Sequence, residues 1–280
     1  MKIFAKAKTT LSSLVINKLK EKYSILALDL DSNVNLATSL MTNIDKLISF
    51  GNKKDEVMQY THSTKMQDWE KRVYLPTEND FYDLENDFIN TYSIKDKNIK
   101  VMSLFIDDDK RIESMCDYYE MSKVFLNHLT LKDDEILIAD LAAIEMISRA
   151  TVMSFNIIFV ITDANFKNIK VANQILTLEL IEFKKDEIVI IPNKYLDKED
   201  LESIKQNFDY NILNGIEFDD EIYDLDSKKE LKAEKIQKLD LSISNICDYI
   251  INYKNNHKKD NSYIYNRINF LDLKKENFLK

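Results

Sequence analysis

Lys8, Thr9 and Thr10 have side chains that can hold phosphate and a divalent cation. A lysine ammonium reaches phosphate oxygens, and a threonine hydroxyl completes the shell of a magnesium ion. The three follow a short apolar run, MKIFA, and open a segment with Leu11, Leu14, Val15 and Leu19 at helical spacing. That places them at a strand–loop–helix junction, with Thr9 or Thr10 as the helix cap. Acids close other apolar runs: Asp29 and Asp31 near the end of SILALDLD, and Asp140 near the end of EILIADL. Carboxylates so placed suit magnesium and an attacking water. Asn193-Lys194 follows the run EIVIIP, and Cys116 stands apart from all of these.

The elements needed to bring these residues together are legible in outline. The pattern predicts strands over 1–5, 24–30, 100–105, 135–141, 156–162, 187–191 and 210–216. It predicts helices over 9–22, 37–50, 118–129, 168–183 and 200–208, and a lysine-rich amphipathic helix over 228–256. Residues 51–62 are polar and read as a loop. Buried strands alternating with helices predict an α/β fold, a mostly parallel sheet flanked by helices. Ligands of such sheets sit at the carboxyl ends of the strands. Residues 1–256 read as one domain, and 257–280 as a tail that is polar at first and then aromatic.

Composition narrows the function classes. The chain has 280 residues and a net charge of −9, which argues against a general nucleic-acid binder. No run of eighteen apolar residues is present, and neither an h-region nor a cleavage site is clear, so a cytoplasmic protein is expected. Two cysteines, Cys116 and Cys247, are too few for a disulfide framework. Only two glycines occur, Gly51 and Gly215, where average usage would give about twenty. Glycine permits positive φ and close backbone approach to ligands, so this chain has few places for either.

Taken in order, the motifs resemble the MinD/ParA class of dimeric P-loop ATPases. The nearest pattern is that of the accessory ATPases that help insert nickel into carbon monoxide dehydrogenase. Those proteins read MKI…KGGVGKTTLS, DADPN, Cys-x-Cys, DxEAGIEHLGR, VTDP, NK and IPYD. This chain reads MKIF…AKAKTTLS, Asp29-Leu30-Asp31-Ser32-Asn33, Met115-Cys116, Asp140 through Glu145 to Arg149, Ile161-Thr162-Asp163-Ala164, Asn193-Lys194 and Gly215 to Asp219. The likeness runs from residue 1 to about residue 225. It implies ATP or ADP with magnesium as cofactors. Lys6, Lys8, Thr9, Thr10, Asn193 and Lys194 would bind nucleotide, Asp31 and Asp140 would be catalytic, and Cys116 would be a metal ligand. It also implies a homodimer, or a heterodimer with an intact ATPase, and a metalloenzyme client.

The departures limit those implications. The resembled proteins wrap phosphate in a glycine-rich loop of backbone N–H groups. Here only Ala7 separates Lys6 from Lys8, and no glycine is present. The Cys-x-Cys pair is halved, with Ser114 in the first position. Zinc takes four ligands, and one cysteine per subunit supplies two to a dimer, which counts against zinc or nickel there. Each residue also has a plainer reading. Lys8-Thr9-Thr10 can be a capped helix start, and the acids can be solvated strand ends. Cys116 can be a small buried hydrophobe, and Asn193-Lys194 an ordinary turn. The expectation is a non-hydrolysing accessory or scaffold protein acting through protein contacts in metalloenzyme maturation. The alternatives are an active dimerising ATPase with an altered loop, and a positioning protein of MinD/ParA type. The tail has a poor amphipathic moment, so docking or partner binding is expected of it in place of membrane contact.

Overall fold

The computed structural model describes residues 1–6, 9–31, 33–51, 53–60, 81–105, 115–141, 151–178, 183–220 and 239–257. Its strands are β1 Lys2–Lys6, β2 Ser24–Asp29, β3 Phe81–Tyr82, β4 Ile94–Asp96, β5 Ile99–Ser103, β6 Leu129–Thr130, β7 Glu135–Leu141, β8 Ile157–Thr162, β9 Ile188–Tyr195, β10 Asn211–Ile212 and β11 Ile216–Glu217. Its helices are α1 Thr9–Leu19, α2 Asn35–Leu40, α3 Lys54–Tyr60, α4 Asp87–Tyr92, α5 Met115–His128, α6 Phe166–Leu178, α7 Lys198–Gln206 and α8 Asp240–Asn256. Nine strands form one sheet in the order β10-β9-β8-β1-β7-β2-β5-β4, with β11 added to β9. Every pair in it is parallel except the β4–β5 hairpin. This is the expected α/β sheet, with β1 at its middle.

The central strands are apolar on both faces because both faces are covered. Ile3 and Ala5 of β1, Ile25 and Ala27 of β2, and Ile136 and Ile138 of β7 join one core with Leu11, Leu14 and Val15 of α1. Ile243, Ile246, Cys247 and Ile250 of α8 complete it at helical spacing. Phe4, Leu26, Leu28, Leu137 and Ala139 point the other way, toward Phe125 of α5 and Ile175 of α6. Each fully buried side chain of this size is worth roughly 1.5–3 kcal/mol. The period of two matters at the strand ends. Asp29 follows Ile25 and Ala27, and Asp140 follows Ile136 and Ile138, so both acids lie on the face covered by α1.

Several elements differ from the sequence reading. The expected helix over 37–50 is the shorter α2 followed by a single 3-10 turn, Ile44–Lys46. The hydroxyls of Thr38 and Ser39 donate back to the carbonyls of Val34 and Asn35, which weakens helix continuation. The expected loop over 51–62 contains α3, whose first turn carries Asp55 and Glu56 and whose Val57 is buried. The β4–β5 hairpin closes on Lys97 at φ 52°, a left-handed residue that no glycine announces. Strand β9 runs on through Pro192 to Tyr195, and the expected last strand is split into β10 and β11.

Candidate functional site

The two acids at the ends of β7 and β2 define the site. Asp140 and Asp29 are register partners on adjacent parallel strands, and both are buried. Ala5 of β1 lies on the other side of Asp140, so the start of α1 falls directly beside it. Thr9, the first residue of α1, donates its hydroxyl to Asp140 Oδ2 at 2.8 Å. Ser12, one turn later, donates to Asp140 Oδ1 at 3.3 Å. Asp29 accepts two backbone N–H groups, from Asp31 at 3.1 Å and from Ala37 at 3.0 Å.

Burial dominates the electrostatics. It pushes the Asp29 carboxyl up to about 7, against the pull of the Ala37 and Asp31 N–H groups and with help from the Asp140 and Asp31 charges. It pushes Asp140 up to about 6, against the Thr9 and Ser12 hydroxyls that stabilise its anion. Two carboxylates therefore share one buried corner.

The other expected residues distribute as follows. Lys6 ends β1, and Thr10 accepts from Ser13 Oγ through its carbonyl at 2.9 Å. Lys8 and the side chains of Lys6 and Cys116 lie outside the described residues. Cys116 is in the first turn of α5. Asp31 is half-buried, and its Oδ1 accepts from both the backbone and the side-chain nitrogen of Asn33 at 3.1 Å. Asn193 is buried near the end of β9, three strands from Asp140, and its Nδ2 has no hydrogen-bond partner among the described residues. Lys194 is exposed at φ 57°. The fold thus brings Thr9 to Asp140 and sets Asn193 farther along the same edge. Asp29 rather than Asp31 stands opposite Asp140. Ser12 was not foreseen as part of the site, and its spacing of three from Thr9 is the signal that could have found it.

The donor set suits a magnesium nucleotide in part. Thr9 and Asp140 offer the hard oxygens that magnesium takes, and Asn193 Nδ2 is a buried donor awaiting an acceptor. Magnesium held by Thr9 and Asp140 would offset the charge of a polyphosphate. The connection between β1 and α1, by contrast, is only Ala7 and Lys8. Among the described residues, no group of three His, Cys, Asp or Glu side chains could hold a metal ion.

The parallel sheet, with acids and a hydroxyl-bearing helix start at its carboxyl edge, has the fold seen in MinD and ParA proteins. Solved structures bear this out at the level of fold. A ParA family ATPase from Chlorobium tepidum superposes with a TM-score of 0.60 at 14% identity, covering 89% of this chain and 97% of that one. The MinD cell division protein of Aquifex aeolicus gives 0.56 at 12% identity, covering 90% and 98%. The MinD of Pyrococcus horikoshii, solved with Mg-ADP, gives 0.52 at 16% identity, covering 89% and 94%. No protein-family model and no curated protein matches the sequence.

Proposed function

We propose that this chain is a MinD/ParA-fold protein that acts through protein contacts and does not turn ATP over as an intact P-loop enzyme does. One observation carries the reading. Strand β1 ends at Lys6 and helix α1 starts at Thr9, so two residues, neither of them glycine, take the place of a phosphate-wrapping loop. Successive N–H groups that converge on phosphate need more backbone than that, and need conformations glycine supplies. The magnesium half of the site supports nucleotide binding more than hydrolysis. Under this reading Thr9 and Asp140 hold the cation, Lys8 reaches phosphate, and Asn193 donates to the base.

The contacts would be with a second copy or with an intact relative. MinD of Aquifex aeolicus has been solved in complex with MinC, a precedent for partner binding on this fold. The similarity to MinD and ParA structures supports a positioning or partition role over metalloenzyme maturation, which rests on the motif order alone. The acidic balance of the chain disfavours DNA as the surface on which it would act. Phosphate release with Mg-ATP tests the reading, beside calorimetry with a non-hydrolysable ATP analogue. Release at the buffer rate is the expected result. Robust magnesium-dependent release that Lys8→Ala abolishes would overturn it.

A further inference from the structure

The carboxylate of Asp29 is fully buried and faces two ways. On one side it accepts the N–H groups of Asp31 and Ala37, so it ties the turn after β2 and the helix α2 to the sheet. On the other side it stands opposite Asp140 across one strand spacing. Between the two tie points lies Val34 at φ 52°, a β-branched residue in the left-handed region. That conformation opposes the turn at about 1–2 kcal/mol, so something must hold it. Among the described residues, the Asp29 carboxylate makes the tie that spans the turn from Asp31 to Ala37, and Val34 N–H adds a bond to the Asp31 carbonyl at 3.1 Å.

We infer that Asp29 is a positioning residue that couples the charge at Asp140 to the placement of residues 31–40. Two like charges in a buried corner oppose one another. Offsetting the charge at Asp140 with a bound cation, or removing it by substitution, relieves the Asp29 anion and strengthens its charge-assisted bonds to Asp31 and Ala37. The turn and α2 then tighten. The Thr9 hydroxyl sits on the Asp140 side of this pair and the Asp31 and Ala37 N–H groups on the Asp29 side, so α1 and α2 are linked through two carboxylates. The coupling does not depend on whether the chain hydrolyses ATP.

Amide hydrogen exchange on the full chain at pH 8, where both acids are anions, tests it. Asp140→Asn is expected to slow exchange at Ala37 several-fold. Asp29→Asn should speed it by about tenfold, from loss of one acceptor. The double variant should behave as Asp29→Asn alone. A purely structural role for Asp140 gives the opposite sign, because breaking its bonds to Thr9 and Ser12 would loosen the neighbourhood. Faster exchange at Ala37 in Asp140→Asn therefore overturns the coupling, as does an additive double variant. Asp140→Ser supplies a second neutral side chain should the asparagine fail to fold, and is read by the same sign.

Discussion

Asp29 and Asp140 carry a stability signature. Between the ordinary carboxylate value and about 7, folded Asp29 keeps a proton that the unfolded chain has released. Its contribution to folding stability is therefore present at low pH and falls as pH rises from about 4 to about 7. A shift of this size corresponds to roughly 4 kcal/mol, and Asp140 acts in the same direction over a narrower window. Urea unfolding at pH 5 and pH 8 measures it. Asp29→Asn is expected to gain stability relative to the parent chain by a few kcal/mol on going from pH 5 to pH 8. No gain would mean that Asp29 is solvated. The acids were legible in the sequence as strand ends, and Thr9 as a helix start. Which acid faces Asp140 was not, because Asp29 and Asp31 differ by two positions, a spacing that keeps them on one face for as long as the strand continues. β2 stops at Asp29, and the turn carries Asp31 away.

Apolar faces hold the elements, and at two glycines close backbone approach fixes how they fit. A Cβ on Gly215 would meet the Pro192 carbonyl oxygen at 1.9 Å, so the start of β11 fits against β9 only without a side chain. Gly51 is similarly close to the Leu104 carbonyl oxygen, at 2.2 Å, and to the Tyr118 ring. Both glycines thus serve packing, and the described positive-φ positions fall to Val34, Asp83, Lys97 and Lys194. Gly215→Ala is expected to lower stability by about 2 kcal/mol or more, because backbone must move on both sides. A denaturant midpoint unchanged within error would show that β11 yields freely. The strands most legible in the sequence, β7 and β8, are mostly apolar runs buried along their whole length. Those missed depend on the partners they pack or pair with, not on their own apolar spacing. α3 forms where Val57 finds a core, and β4 forms because β5 supplies its partner. Hydrophobic spacing alone does not carry that information.

At the scale of the whole molecule, the order of strands sets a schedule. β1 comprises residues Lys2–Lys6, yet its neighbours are β7, which ends at Leu141, and β8, which ends at Thr162. On a ribosome, elongating at about 5–20 residues per second, the first strand waits on the order of ten seconds for its second neighbour. Until β7 arrives, MKIFA is a mostly apolar segment with both hydrogen-bonding edges open. Pairing at such separations makes folding slow. Nascent chains stalled near residue 134 are expected to remain protease-sensitive throughout, and the released full chain, with α8 in place, to be resistant as a unit. Resistance of the shorter chains would show that β2 and β5 form a stable nucleus without the middle of the sheet. The two carboxylates of the site meet only at that late step, when β7 slides between β1 and β2. The site is therefore born only when the middle of the sheet closes, and the first residues stay unpaired until about half of the chain has been made.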